Sequence, residues 1–98
     1  SYESKRIVFA KDGKQGMMDF DDNVIIEPIY YEIHGMHNPL LTVRVGEKDN
    51  YKEGLITPDG VEVLPAVYSD IRWCRDNYII CCQDGNSEVY QLMVSNEA

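Results

Sequence analysis

The feature that most constrains the fold of this chain is an internal repeat. Residues 16–30 align with residues 54–68 at an offset of 38 without a gap. Under this offset Gly16 meets Gly54 and Tyr30 meets Tyr68, and the same register continues further along the chain. Self-similarity at a fixed period of this length is typical of folds in which each unit buries its apolar face against its neighbours.

A third, partial copy follows the second. Asp84-Gly85 falls where Asp12-Gly13 lies, and Val89-Tyr90 falls where Met17-Met18 lies, if the second copy carries about four extra residues near Asp49–Lys52. We therefore predict a single domain of about two and a half units, and we expect the native array to continue past its last residue. The predicted units are repeat 1 at about 5–38, repeat 2 at about 39–76 and partial repeat 3 at about 77–94.

Each unit consists of short apolar runs separated by turn residues. Asp12-Gly13 is typical of a tight hairpin, and Pro58-Asp59-Gly60 of the next turn. Pro28 and Pro65, which cannot donate to a ladder, predict the end or the edge of a strand. The spacing predicts an all-β fold of antiparallel hairpin and meander repeats with six to eight short strands, as a sandwich, a propeller-like stack or an open meander. Two segments, 31–36 and 69–75, fit either a helical turn or an irregular strand.

The repeat resembles the WG-repeat (KWG-type) family of bacterial β-repeat proteins. The resemblance lies in Gly13-Lys14-Gln15-Gly16-Met17-Met18-Asp19, in Val24–Tyr30 and in their counterparts Glu53–Thr57 and Val63–Tyr68. Gln15 takes the position of the signature Trp, and in the third copy Glu88 replaces the glycine that follows it. Such a resemblance implies a β-rich scaffold without assigned chemistry, for which contact with other proteins is the default function, and it supplies no catalytic residue.

Charge and cysteine content narrow the classes of partner and compartment. The net charge of −8 repels phosphate backbones and anionic lipids, so nucleic acid and membrane surfaces are poor partners. Three cysteines, an odd number without even spacing, do not indicate a secreted disulfide framework. A reducing, cytoplasmic location is therefore favoured, and no apolar run approaches the ~20 residues of a membrane span.

Metal and catalytic chemistry find little support in the sequence. His34 and His37 with the three cysteines could suggest zinc, but only one half of the chain offers a ligand pair, and a surface loop around 34–39 explains the histidines. Cys81 and Cys82 are neighbours in a strand and point to opposite faces. Asp19 and its acidic neighbours fit a turn better than a calcium loop. We predict no metal, no cofactor and no catalytic residue, so that the chain is not an enzyme.

A binding patch is expected where the copies differ. Trp73 aligns with Gly35 and Tyr31 aligns with Ser69, so neither aromatic is demanded by the repeat, although Trp73 also fits a role as core filler. The predicted partner-binding residues are Trp73, Arg72, Arg75 and Tyr31, with the inserted hairpin Glu47–Glu53 as a second candidate.

The hypothesis favoured by these features is a non-catalytic module for protein–protein interaction, as a segment of a longer repeat protein. The alternative is a small acidic inhibitor of the immunity-protein type that masks a basic site on its partner. An enzyme would need a pocket that brings His34 or His37 to a cysteine or a carboxylate. Exposed edge strands also offer a route to a homodimer.

Overall fold

A computed structural model of the chain describes residues 5–37 and 40–93. These residues form ten strands and one short 3₁₀ turn at Arg75–Asn77. The strands are β1 (Arg6–Lys11), β2 (Lys14–Asp19), β3 (Val24–Tyr30), β4 (Glu32–His37), β5 (Leu40–Glu47), β6 (Asn50–Ile56), β7 (Glu62–Tyr68), β8 (Asp70–Trp73), β9 (Tyr78–Gln83) and β10 (Asn86–Gln91). None of the described segments is a helix long and apolar enough to cross a membrane.

The ten strands are arranged in three consecutive antiparallel sheets. The N-terminal sheet has the order β1-β2-β3, the central sheet β4-β5-β6-β7 and the C-terminal sheet β10-β9-β8. Within each sheet every strand pairs with the strand next to it in sequence, so each sheet is a meander. The predicted all-β class is confirmed. The strand count exceeds six to eight because both undecided segments form strands, β4 and β8.

The central sheet is the complete unit, and the two terminal sheets are shortened versions of it. Strands β1 to β3 correspond to β5 to β7, and β8 to β10 correspond to β4 to β6. The registers agree: Phe9 pairs with Gly16, Val43 with Gly54 and Cys81 with Glu88. Within the described chain the N-terminal sheet therefore has no counterpart of β4, and the C-terminal sheet has none of β7.

Two hydrophobic cores lie between successive sheets. The first joins Met17 and Ile26 of the N-terminal sheet to four residues of the central sheet, Ile33, Leu41, Val43 and Ile56. The second joins Leu55 and Tyr68 of the central sheet to Ile71, Ile79 and Cys81 of the C-terminal sheet. Four residues of the second core stand at the positions of Met17, Ile33, Leu41 and Val43 shifted by the repeat offset. The central sheet is consequently buried on both faces.

Glycines in β2 and β6 allow the strand that follows each of them, β3 or β7, to bulge toward it. The pairing of β2 with β3 and of β6 with β7 shifts register beside Gly16 and Gly54. A Cβ atom at Gly54 would lie 2.7 Å from the carbonyl oxygen of Leu64 and 2.8 Å from the amide nitrogen of Ala66. At Gly16 it would collide with the carbonyl oxygen of Ile26. These glycines are required by close approach of backbone.

Two prolines lie in the last strand of a sheet, Pro28 in β3 and Pro65 in β7. Their predicted edge position is confirmed, because on that side a strand has no neighbour in its sheet that needs a donor. The strands continue through the prolines to Tyr30 and Tyr68 rather than ending there, since the register shift at the bulge removes the need for a ladder bond.

One further expectation is corrected by the backbone of β4. The segment with His34 and His37 is not a surface loop but a strand that pairs with β5, with a register shift between His34 and Met36. Glycine at position 35 falls within this shift, as is common at bulges. The last two residues of the expected loop, Asn38 and Pro39, lie outside the described residues.

The turns that connect β2 to β3 and β6 to β7 are closed in the same way by different side chains. Asp19 Oδ1 accepts the backbone N–H groups of Asp21 and Asn23, each at 2.9 Å. Thr57 Oγ1, at the equivalent position, accepts those of Asp59 and Val61 at 3.3 and 3.0 Å. The side-chain amide and then the backbone N–H of Asn23 lower the pKa of Asp19, assisted by the N–H of Asp21.

We expect Gly54→Ala to destabilise the fold by about 1–3 kcal/mol, because the new methyl group overlaps the backbone of β7. Urea unfolding followed by the fluorescence of Trp73, the single tryptophan, measures the change. Gly85→Asn is the matched control, since Gly85 has a φ of +83° and nothing lies within 4 Å of its Cβ position. An unchanged unfolding midpoint for Gly54→Ala would contradict the close approach.

We expect Asp19→Thr to keep the turn but to change how the free energy of unfolding depends on pH. A carboxyl with a pKa below its unfolded value contributes stability above that value and loses it as the pH falls through the folded pKa. The advantage of wild type over Asp19→Thr in the free energy of unfolding should therefore be constant near neutral pH and shrink below about pH 3.8, the ordinary pKa of the group. A difference that is independent of pH would refute this.

Candidate functional site

A row of three charged side chains crosses the central sheet. Arg44 pairs in register with Glu32 on β4 and with Glu53 on β6. Its Nη1 donates to Glu32 Oε1 and its Nε donates to Glu53 Oε2, both at 2.9 Å. Cross-strand neighbours of opposite charge stabilise a sheet. The arginine is therefore fixed by a carboxylate on each side.

Glu53 also ties the central sheet to the C-terminal sheet. Its Oε1 accepts the backbone N–H of Ile71 at 2.9 Å, and its side chain is only 6% exposed. Gln15 Oε1 accepts the N–H of Ile33 at 2.8 Å in the first copy. Both side chains directly precede the glycine of the middle strand, Gly16 or Gly54, at the position where the signature Trp is expected. In this chain that position supplies a hydrogen bond between successive sheets.

The charge of Arg44 is held in place by its surroundings. Burial lowers the pKa of Arg44, because it disfavours the charged guanidinium. This effect is outweighed by the hydrogen bond to Glu53 and by the electrostatic influence of Tyr51 and both glutamates, so the pKa of Arg44 lies above its usual value. An arginine with this pKa stays charged throughout the working range of a protein. It provides a permanent, pre-oriented cation at this face of the sheet.

Two tyrosines complete the cluster around Arg44. The rings of Tyr31 and Tyr51 stack with centroids 6.2 Å apart and an interplanar angle of 20°. The Arg44 guanidinium carbon lies 4.4 Å from the centroid of the Tyr51 ring, a cation–π contact. Both tyrosines and the arginine are half-buried, so each keeps part of its surface in solvent. We call Tyr31, Arg44 and Tyr51 the tyrosine–arginine patch.

Two members of the patch, Arg44 and Tyr51, belong to the longest of the three equivalent hairpins in the described chain, and Tyr31 lies between β3 and β4. The hairpins of the terminal sheets turn at Asp12-Gly13 and Asp84-Gly85, whereas β5 and β6 add two further residue pairs before their turn at Lys48-Asp49. Tyr51 belongs to the added part, where it pairs with Gly46. At about 3.4 Å per residue the addition extends the hairpin by about 7 Å.

Each member of the patch departs from the repeat. In the next copy Ser69 stands at the position of Tyr31, and Cys82 stands at that of Arg44. The backbone hydrogen bond is nevertheless kept: the N–H of the first residue donates to the carbonyl of the second in both copies. Tyr51 has no counterpart in the shorter hairpins. Tyr31 and the hairpin Glu47–Glu53 were both predicted as candidates, and the structure brings them together. Arg44 was missed; its mismatch with Cys82 under the repeat offset was the available signal.

The other predicted residues lie on the C-terminal sheet. Trp73 ends β8, is half-buried and packs against the second core. Arg72 is exposed and donates through Nε to Asp70 Oδ2 at 2.7 Å. Arg75 is exposed in the 3₁₀ turn. The structure thus places Tyr31 in the central sheet region and Trp73, Arg72 and Arg75 elsewhere, and a role for these three in binding stays a prediction.

The cysteines occupy three different environments. Cys74 is exposed, Cys82 is half-buried and lies 3.5 Å from the Ser87 hydroxyl, and Cys81 is buried in the second core. Burial, and then the charge of Glu88, raise the pKa of the Cys81 thiol, which disfavours the thiolate. In the part of the chain that the structure describes, no three His, Cys, Asp or Glu residues are grouped as a metal site would require.

The described surface includes two open grooves that differ in size and lining. The larger, about 550 Å³, lies beside the N-terminal and central sheets, and its described lining includes Arg6, Asp19 and Asp59, with Arg6 Nη2 3.0 Å from Asp59 Oδ1. The smaller, about 430 Å³, is lined by Cys81 and Glu88 among others. The absence of catalysis stays a prediction.

We expect Glu53→Ala to destabilise the protein by about 2–4 kcal/mol, because it removes a buried partner of Arg44 and leaves the Ile71 N–H without its acceptor. Glu53→Gln, which copies Gln15, keeps an acceptor for that N–H and should cost clearly less. Urea unfolding of both variants at neutral pH measures the two effects. Equal losses of stability in both variants would contradict a stabilising role for the hydrogen bond from the Ile71 N–H and would leave the charge pairing with Arg44 as the contribution of Glu53.

The comparison with known proteins gives one match, to part of the repeat. Residues 16–48 match the family model described as a WG containing repeat, which confirms the predicted resemblance. The matched segment runs from Gly16 in β2 to the turn after β5, and so spans the junction between the N-terminal and central sheets. The chain matches no curated protein and no solved structure.

Proposed function

We propose that this chain, which carries a WG-containing repeat, is a non-catalytic module that binds another protein through the tyrosine–arginine patch. One observation carries the proposal: Tyr31, Arg44 and Tyr51 lie in direct contact, and each of them departs from the repeat. Residues that the scaffold itself does not demand are the ones on which a specific function is built.

The physical character of the patch suits protein recognition. Tyrosine and arginine are the residue types, with tryptophan, in which binding energy is concentrated at protein interfaces. The ring stacking and the two carboxylates around Arg44 hold the side chains in one arrangement before a partner arrives. Little side-chain entropy then remains to be lost on association, which raises affinity for a given contact area.

The distribution of acidic residues supports a module over an inhibitor of a basic site. Exposed acids lie in the hairpin turns at one end of the strands, as at Asp12 and Asp84, and in the turns at the opposite end, as at Asp22 and Asp59. An inhibitor that masks one basic site would gather its acids on one face. We also propose that the module works as one segment of a longer repeat array, in which further sheets extend the stack.

The test is capture of partners from a lysate of the source organism with wild type and Tyr31→Ser as baits. Serine is the residue found at the equivalent position, Ser69, where the same backbone hydrogen bond is made. The repeat therefore accommodates serine with this backbone geometry. We expect a partner that wild type retains to be lost with Tyr31→Ser, and its purified form to bind at least tenfold more weakly. Titration calorimetry with that partner measures the change.

Arg72→Ala is the control, since Arg72 is exposed on another sheet and its loss should leave binding unchanged. A partner lost with Arg72→Ala but kept by Tyr31→Ser would refute the patch and favour the C-terminal sheet instead. A strongly basic partner released by added salt, with no response to either substitution, would favour the inhibitor alternative.

A further inference from the structure

Within the described residues, no further sheet packs on the outer face of the C-terminal sheet, although this face has the character of an inter-sheet surface. Met17 and Leu55 occupy equivalent positions, and at the two internal junctions they are 8% and 0% exposed. Val89 takes the same position in the C-terminal sheet, where it is 64% exposed. Its ladder partner Ile80 and nearby Tyr78, which is 42% exposed, share this face. We call Tyr78, Ile80 and Val89 the C-terminal outer face.

The outer face of the N-terminal sheet has the matching character. Leu41 in the central sheet and Ile79 in the C-terminal sheet are 5% and 0% exposed, because each receives the preceding sheet. Their counterpart in the N-terminal sheet is Ile7, which is 42% exposed and pairs with Met18. Phe9 lies on the same face, two residues along β1. We call Ile7, Phe9 and Met18 the N-terminal outer face.

The two outer faces are the two halves of one type of interface. At the first internal junction Met17 packs with Leu41 and Val43, and at the second Leu55 packs with Ile79 and Cys81. The C-terminal outer face is equivalent to the surface that carries Met17 or Leu55. The N-terminal outer face is equivalent to the opposite surface of the junction, which carries Leu41 and Val43 or Ile79 and Cys81. We propose that a second copy of this chain stacks head to tail on the first, with Val89 of one copy against Ile7 and Phe9 of the next.

Glu88 favours a separate copy over a further unit joined through the next strand. In the first two copies the middle strand carries glycine at this position, and a Cβ there would collide with the bulged strand that follows. Glu88 introduces a Cβ and a long side chain at the equivalent place in β10. A fourth strand of the β3 or β7 type therefore does not fit beside β10, and the apolar face is left for a contact between chains.

The stacking is independent of the proposed partner site, because the tyrosine–arginine patch belongs to the central sheet. A head-to-tail contact joins unlike surfaces, so it produces a ring where the rotation between copies closes and an open array where it does not. The charge of −8 on each chain opposes association. Assembly should accordingly strengthen in high salt, where that repulsion is screened.

The experiment uses analytical ultracentrifugation of the full chain in high salt with two charge variants, Ile7→Asp and Val89→Asp. Wild type should form species heavier than one chain at high concentration. Each variant alone should remain a single chain, because one of its two outer faces is blocked. An equimolar mixture of the two should form a complex of two chains and stop there, since the intact faces can pair once.

Two further variants make the test specific. Val61→Asp adds the same charge at a valine that is 62% exposed in a turn, and it should assemble like wild type. Val89→Leu, which copies Leu55, should strengthen assembly severalfold. A wild type that stays a single chain up to millimolar concentration would overturn the proposal. So would a mixture that gives no complex, or variants that each still form dimers alone, as pairing of β10 edges would produce.

Discussion

Burial of one sheet face against the next sheet is the interaction on which this molecule depends. Among the described residues both hydrophobic cores lie across the junctions between successive sheets, and the central sheet contributes to both. The hydrogen bonds from the Ile33 and Ile71 N–H groups to Gln15 and Glu53 fix the spacing and rotation of successive sheets at those junctions. The central sheet can therefore carry an extended hairpin and its patch on a rigid base.

Much of the fold follows from the 38-residue offset alone. Once residues 16–30 are matched with 54–68, the turns, the edge prolines and the paired core positions follow, because each copy must solve the same packing problem. Strands β4 and β8 could not be decided in the same way. They are short, and their apolar residues are too few to show a period, so their conformation depends on pairing with β5 and β9.

The residues of the candidate site were likewise only partly predictable from the sequence. Tyr31 was found because it breaks the repeat, and Tyr51 because its hairpin has extra residues. Arg44 escaped notice because its significance comes from two ladder partners, Glu32 twelve residues before it and Glu53 nine after it, and these pairings require the register between three strands. Trp73 breaks the repeat as well, yet packs on the core. A break in the repeat therefore marks a position for attention without deciding its role.

The stack of sheets also has a consequence for the way the chain folds and opens. The two cores of the described chain join sheets that are neighbours along the chain, so stability is set by each sheet and its junctions, as in a one-dimensional array. The central sheet loses two junctions when it unfolds, whereas a terminal sheet loses one. Local opening should thus begin at the ends of the molecule, and amide protons of β5 and β6 should exchange last. The segment that carries the tyrosine–arginine patch is then the most persistent part of the native state.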